Sequence, residues 1–379
     1  MIYIDVTHLI KQLRTGRQLV GIQRVTFHTV VGLVRLLGPG AVRLLSVNDD
    51  GQLRAAALQR TVATEKRKLE ISSCIFEPAH LNTGDKVVLT EWLISDVIFD
   101  VLKKAKEANS FQVFQFSHDV IPLAVPEYFF KRDRVDFSRR IAKAFGLADV
   151  ILTNSYYSKA DILRLCGGMF APGTPIHVIQ LPHEFGGEVT GNNVLPPDVK
   201  VPYAMMVGSV EQRKNTHRIV AAWCKLYAKH GVALPQLVLV GKYSWLGLGR
   251  LKLMMVIGWN KLRGGPIIRL HSCDDGQLAA LYRQCLFSIY VSAYEGWGLP
   301  IGESLWFGRP VVAGISSSLP EVAPGMALAV SPEDSGALEK LMEQLCFDPE
   351  FQTAAAKQID KPKLRKWSDF VSTLADCLS

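Results

Sequence analysis

Short apolar runs alternate with amphipathic stretches of helical period along most of this chain. Residues 1–6 read as a strand and 23–36 as a helix. Strands follow at 86–89, 111–115 and 150–153, with a helix near 94–108 and another after 153. A polar stretch at 186–197, rich in Gly, Asn and Pro, then interrupts the alternation and reads as a linker. Beyond it the pattern resumes, with strands at 203–207, 236–240, 267–270, 287–291 and 310–313, and a helix near 217–229. Alternation of this kind predicts an α/β fold whose parallel strands carry helices on both faces. The expected organisation is two doubly wound, Rossmann-like domains, 1–190 and 191–379, the last helix being a candidate to cross back to the first. Ligands of such sheets sit beyond the carboxyl ends of the strands.

The chain has 379 residues, 48% apolar and 21% charged, which suits two globular domains and excludes a disordered one. No apolar run reaches the length of a membrane span. Met1-Ile2-Tyr3-Ile4-Asp5-Val6 reads as strand and not as a leader. Seven scattered cysteines without a CxxC pair point to reduced thiols and a cytoplasmic location, and away from structural zinc.

The net charge of +8 is unevenly spread. No acidic residue falls between Glu211 and Asp274, whereas Arg213, Lys214, Arg218, Lys225, Lys229, Lys242, Arg250, Lys252, Lys261, Arg263 and Arg269 all do. A second cationic cluster comprises Lys131, Arg132, Arg134, Arg139, Arg140 and Lys143. Such surfaces suit an anionic partner, a phosphorylated ligand or an anionic membrane, or else are solvated faces. Within the acid-free block, 245–259 is apolar with spaced cations, which suits either a helix packed in the fold or one lying on lipid. Its aromatic residues follow no spacing of a nucleic-acid recognition module, so no nucleic-acid partner is expected. Gly247-Leu248-Gly249 lacks the third glycine of a dinucleotide fingerprint.

The densest chemistry lies in Tyr294-Glu295-Gly296-Trp297-Gly298-Leu299-Pro300-Ile301-Gly302-Glu303. It follows a buried strand and opens a helix that Gly308 and Pro310 end. A strand, a glycine turn and a helix N-terminus make an anion site, because free amides and the helix dipole point the same way. Two carboxylates beside it suit a ligand that also carries hydroxyls, since each carboxylate accepts two hydrogen bonds. A nucleotide sugar meets both demands.

This segment resembles the E-x7-E motif of retaining glycosyltransferases of family 4, which have the GT-B fold. Val207-Gly208-Ser209-Val210-Glu211-Gln212-Arg213-Lys214-Asn215 is similar to the family's donor-phosphate loop, and Leu278-Ala279-Ala280-Leu281-Tyr282 to the helix before the motif. Ser316-Ser317-Ser318-Leu319-Pro320-Glu321-Val322 is similar to the loop after it, and Lys366-Trp367-Ser368 to the start of the last helix. Gly21-Ile22-Gln23-Arg24 and His118-Asp119-Val120-Ile121-Pro122 extend the resemblance into the first half. The chain departs from the family at Ser209, where many members have arginine, and at Pro182-His183-Glu184-Phe185, where they have a Gly-x-Asp turn.

The resemblance implies two such domains facing each other across a cleft, and roles for particular residues. Lys214, supported by Arg213, would bind the donor's pyrophosphate and stabilise charge on the leaving group. Glu303 would hold the ribose hydroxyls, Glu295 a hydroxyl of the donor sugar, and the amides of Gly298 and Leu299 the phosphates. Gly21, Ser209 and Gly296 complete the donor side. His118 would touch the donor sugar or the acceptor hydroxyl, with Arg24, Asp119 and Asn154 on the acceptor side. No carboxylate stands out as a covalent nucleophile, which agrees with front-face transfer in this family. No DxD motif lies at a strand end, Asp49-Asp50 and Asp274-Asp275 being loop or helix-start pairs, so neither a metal nor another cofactor is expected.

The implied activity is transfer of a hexose, first of all mannose from GDP-mannose, to a growing and lipid-linked glycan. The glycan would be a bacterial O-antigen, capsule or exopolysaccharide, built at the inner face of the plasma membrane by a peripherally associated enzyme. The alternative is a non-catalytic scaffold or glycan-binding subunit with the same fold.

Overall fold

The computed structural model describes residues 1–15, 19, 21–48, 50–58, 70–91, 96–186, 194–243, 248–262 and 264–379. Part of the expected linker (187–193), the start of the helix expected at 94, Asp49, Trp245 and Gly247 lie outside the described residues. Two compact units result. The first comprises Met1–Leu181, Gly186–Glu188 and Lys366–Ser379, and the second Pro182–Phe185 and Val189–Arg365.

The first unit is built on an eight-stranded sheet. Its strands are β1 (Ile2–Asp5), β2 (Val42–Val47), β3 (Leu53–Ala57), β4 (Glu77–Pro78), β5 (Lys86–Leu89), β6 (Gln112–Ser117), β7 (Val150–Thr153) and β8 (Ile176–Val178). They lie in the order β4-β3-β2-β1-β5-β6-β7-β8. From β2 to β8 the pairings are parallel. The expectation of parallel strands fails at the edge, where β3 runs antiparallel to both β2 and β4. The reason is the connection: a tight turn, closed by Asn48 accepting from the Gln52 amide at 2.8 Å, joins β2 to β3. A parallel return needs a dozen residues or more.

The helix Trp367–Cys377 belongs to this first unit and packs on helix Ile22–Leu37. His28 and Trp367 stack with centroids 4.1 Å apart, and Phe370 reaches Phe116 on β6. Approach is close because residue 32 is glycine. A Cβ there would stand 2.2 Å from Val371 Cγ2.

The second unit holds a six-stranded, wholly parallel sheet. Its strands are β9 (Tyr203–Val207), β10 (Gln236–Val240), β11 (Ile267–Leu270), β12 (Ser288–Tyr290), β13 (Val311–Gly314) and β14 (Leu328–Val330). The order β11-β10-β9-β12-β13-β14 is that of dinucleotide-binding sheets, reversing direction between β9 and β12. Strands such as Gln236-Leu237-Val238-Leu239-Val240 are apolar throughout because helices cover both faces. Helix Thr216–His230 buries Ile219, Val220, Trp223 and Leu226, an i, i+4, i+7 stripe, with Trp223 against Phe287.

Residues 182–185 open the second unit by hydrogen bonds that stand where the family resemblance expects a Gly-x-Asp turn. The amides of His183 and Glu184 donate to the Arg365 carbonyl, and the Arg365 amide donates to His183 Nδ1 at 2.8 Å. His183 Nε2 donates to the Val322 carbonyl at 2.6 Å. Burial brings this imidazole down to about 4, so it is neutral and both ring nitrogens are satisfied. A Cβ at Gly302 would come within 2.9 Å of the His183 Cα, so the glycine of the motif helix gives this segment its room.

Gly32→Ala should destabilise the first unit by about 1–2 kcal/mol, overpacking outweighing the better helix propensity. Adding Val371→Ala should recover much of that loss. Urea denaturation of the two single variants and the double variant measures it; additive losses would show that the two residues do not compete for space.

Candidate functional site

The site in the second unit assembles where the strand order reverses, from the loops that leave the carboxyl ends of β9 and β12. β9 ends at Val207 and the chain turns at Gly208, whose φ of +147° suits glycine alone. Ser209 follows, half-buried, and then the 3-10 turn Gln212–Lys214. Asn215, with φ of +54°, starts the next helix, and its side-chain amide donates to the Val291 carbonyl at 2.9 Å. Together with the Ala293 amide bonded to the Arg213 carbonyl at 2.7 Å, this ties the two loops together.

Lys214, Arg213 and Glu295 meet in that seam. The Lys214 ammonium donates to Glu295 Oε1 and, at 2.7 Å, to the Tyr290 hydroxyl. That hydroxyl donates in turn to Glu295 Oε1 at 3.1 Å. Arg213 sets Nη1 3.0 Å from Glu295 Oε2, bonds the Tyr294 carbonyl, and reaches Glu211 at 2.7 Å. Lys214 is 9% and Glu295 8% exposed, so these charges sit largely away from water.

Burial by itself raises the Glu295 carboxyl, but Arg213 and Lys214 overcome it and hold the group at about 2. Burial lowers Lys214 and Arg213, and the Glu295 carboxylate reverses both into net upward shifts. Tyr290 is pushed up to about 12 by burial and by Glu295, and stays protonated. The outcome is two fixed cations facing one fixed carboxylate at neutral pH.

The turn carrying Glu295 is laced from behind. Ser317 accepts from the Glu295 amide at 2.8 Å, and the Ser318 hydroxyl donates to the Glu295 carbonyl at 2.8 Å. Gly296 and Gly298 are buried. Gly298 adopts a φ of +149°, and a Cβ there would stand 2.9 Å from Leu319 Cδ2. It begins helix Leu299–Trp306, so Gly298 and Leu299 mark that helix's N-terminus. Glu303, buried in the second turn, accepts from the Tyr282 hydroxyl at 3.0 Å. The structure therefore gathers Lys214, Arg213 and Glu295 in one ion cluster, while Glu303 is held separately by helix Asp275–Gln284. Asp274 is committed as the N-cap of that helix, accepting from the Gln277 amide at 2.7 Å.

In the first unit, Gly21 caps helix Ile22–Leu37 with φ of +48°, and Arg24 lies in its first turn. His118 follows β6 directly and is 7% exposed. Its Nε2 donates to the Thr90 carbonyl at 3.0 Å, which leaves Nδ1 as the acceptor. Burial holds the ring down to about 4, so it is neutral at physiological pH and suited to accept a hydrogen bond. Asp119 Oδ1 accepts from the Ile121 amide at 3.1 Å and caps the short helix there. Asn154, at the end of β7, is 3% exposed, and its Oδ1 has no hydrogen-bond partner among the described residues. Such an orphaned acceptor is costly unless something else satisfies it.

Sequence reasoning missed Tyr290, which only the fold sets between Lys214 and Glu295. It also missed Asp5 and Glu91, at the ends of the adjacent strands β1 and β5. Glu91 accepts from the amides of His8 and Leu9, both at 2.5 Å, at the start of helix Thr7–Arg14. Asp5 accepts from the Thr7 amide at 3.1 Å and from its hydroxyl at 2.6 Å. Burial raises Asp5 to about 6, and burial plus the Asp5 charge raise Glu91 well above the carboxylate range. The available signal was an acid near the end of one predicted strand, 1–6, and one just past another, 86–89.

Comparison with known proteins agrees with this geometry. Residues 192–361 match the glycosyl transferases group 1 family, so the second unit carries a domain of that family. The chain is 27% identical over 268 residues to the O-antigen chain mannosyltransferase B of Escherichia coli, covering 66% of each. It is 27% identical over 244 residues to a serotype-specific mannosyltransferase WbdA of the same organism, covering 62% of this chain and 29% of that one. It thus spans less than two thirds of the length of either relative. Among solved structures, Anabaena Alr3699/HepE in complex with UDP and glucose superposes with a TM-score of 0.66 at 14% identity, over 100% of this chain and 98% of that one. Sucrose-phosphate synthase from Thermosynechococcus elongatus gives 0.66 at 16% identity, over 99% and 97%. The fold class is accordingly GT-B, with two Rossmann-like α/β units.

A carboxyl raised by folding favours the protonated native state, so its contribution is fully present below about pH 4 and is lost as pH rises through about 6. Asp5→Asn should remove that loss. Measured by urea unfolding, the variant should gain on the order of 1–3 kcal/mol over the parent at pH 8 relative to pH 4. An identical pH slope in both would contradict the buried pair.

Proposed function

We propose that this protein is a retaining glycosyltransferase that uses a nucleotide-sugar donor. The observation that carries the reading is the buried cluster of Lys214, Arg213 and Glu295 at the strand-order reversal, within a glycosyl transferases group 1 domain. A diphosphate leaving group accumulates negative charge as the glycosidic bond breaks, and cations already fixed in a dry site stabilise it without reorganising. Lys214 and Arg213 fit that task. An arriving pyrophosphate would compete with Glu295 for them, freeing its carboxylate to accept a hydroxyl of the donor sugar. The amides of Gly298 and Leu299 suit the phosphates, and Glu303 the ribose.

In this reading the sugar is transferred on the face from which the diphosphate departs, and the departing phosphate takes the acceptor's proton. No protein nucleophile and no metal is required. His118, neutral with a free Nδ1, would accept a hydrogen bond from a sugar or acceptor hydroxyl. Asn154, Asp119 and Arg24 are assigned to the acceptor side, where Asn154 Oδ1 would gain a donor.

The names of both relatives support mannose as the sugar, and that of the first supports an O-antigen as the product class. We take GDP-mannose as the first donor to test and a lipid-linked glycan as the acceptor. The enzyme would then work at the inner face of the plasma membrane through peripheral contact with anionic lipid.

A thermal-shift panel of GDP-, UDP-, dTDP- and ADP-sugars tests the proposal. One donor should raise the melting temperature, by about 2.7 kcal/mol of linkage at a hundredfold excess over Kd. Glu303→Gln should lose most of that shift. No shift with any donor would favour a non-catalytic scaffold.

A further inference from the structure

Helix Leu248–Leu262 in the second unit has two apolar faces, and the fold uses one of them. Leu253 and Ile257 are buried in the core beside Ile267 and Leu239. On the other side Leu251, Met254, Met255, Val256, Trp259 and Leu262 are 55%, 40%, 54%, 42%, 62% and 85% exposed. At ~100° per residue these six positions and Gly258 fall within an arc of about 200°. Their spacing makes one continuous stripe along the helix.

Charge frames this stripe. By the same spacing, positions 250 and 261 border the arc on one side, and position 252 falls within it between Trp259 and Val256; these are Arg, Lys and Lys. Lys242 is exposed just before the helix. The sequence supplies no acidic residue from 212 to 273 to offset them. Several cations elsewhere in the chain are paired with acids. Arg139, Arg140 and Lys143 pair with Asp96 or Asp100, Lys225 with Glu339, and Lys229 with Glu343. The patch around this helix joins exposed apolar area to a stretch of sequence without acids.

We propose that this face is a docking site for an anionic lipid surface, with the helix lying in the plane of the headgroups. An apolar arc with Lys and Arg positions along one edge and within it suits that interface, because long cationic side chains in general reach phosphate while an apolar arc enters the acyl boundary. Each cation near such a surface adds attraction that salt screens. A second copy of this chain fits poorly, since it would bring two acid-free cationic faces together. The helix lies on the membrane and does not span it: no described helix is long and apolar enough to cross. The proposal does not depend on the transfer reaction.

Flotation of the full chain with lipid vesicles tests this. With about 30% phosphatidylglycerol in phosphatidylcholine, binding should exceed that to neutral vesicles at least ~10-fold and fall as salt rises. Leu251→Glu/Met255→Glu should lose at least ~10-fold of the anionic-vesicle binding. Val232→Glu, a change at a 96% exposed position elsewhere, should bind like the parent. The donor-induced thermal shift should be unaltered in the double variant, which shows that it folds and separates this result from that of the transferase reading. Equal binding to neutral vesicles, or undiminished binding by the double variant, would overturn the proposal. So would a dimer in sedimentation velocity that the double variant abolishes, with no vesicle binding, because the occupant would then be a second copy.

Discussion

Burying two cations and a carboxylate costs several kcal/mol per ion unless each charge is matched and its remaining hydrogen bonds are filled. Around Glu295 that condition is met from four directions: Lys214, Arg213, the Tyr290 hydroxyl and the serine loop behind the turn. Much of the second unit's local geometry serves it. Gly208 and Gly298 adopt backbone conformations that other residues avoid, and Asn215 turns the chain and bonds the neighbouring loop. A cluster so enclosed is already organised to receive an anion. The same enclosure keeps Lys214 charged where burial alone would favour its neutral form.

The strand order explains why these residues meet although about eighty positions separate them in the chain. β9 and β12 are neighbours only because the sheet reverses direction between them, so their loops emerge side by side. In the first unit the corresponding place lies between β1 and β5, and it too gathers buried charge, there as Asp5 and Glu91. The two units thus set opposite electrostatics at equivalent positions. One pairs a carboxylate with cations and holds it ionised; the other crowds two carboxyls and favours their protonated forms.

The sequence made much of this readable. Strand and helix periodicity gave the parallel core of both sheets, because strands covered on both faces are apolar throughout and helices are not. Glu295 and Glu303 could be singled out because glycines and a proline mark their turn and helix start, and Lys214 and Arg213 through the resemblance of 207–215 to the family's donor-phosphate loop. What stayed hidden depends on distance across the fold. Nothing local tells that Lys214 pairs with Glu295, or that Tyr290, a strand residue, bridges them. The β2–β3 hairpin went unread although Asn48-Asp49-Asp50-Gly51 is a turn signal between its two strands. In the cluster at 131–143, which read as an anion-binding or a solvated face, Arg139, Arg140 and Lys143 find partners in Asp96 and Asp100 that only the fold brings near. His183 occupies a hinge-like stretch where the family resemblance gave a different turn, and only its bonds to Arg365 and Val322 show what it does.

The central claim is that the Lys214–Glu295 pair is a site awaiting a diphosphate. A crystal structure of the chain with a bound nucleoside diphosphate tests it most directly. The account predicts Lys214 Nζ within about 3.2 Å of a pyrophosphate oxygen, with the Glu295 carboxylate turned away from it. A diphosphate bound elsewhere, with Lys214 still paired to Glu295, would contradict it.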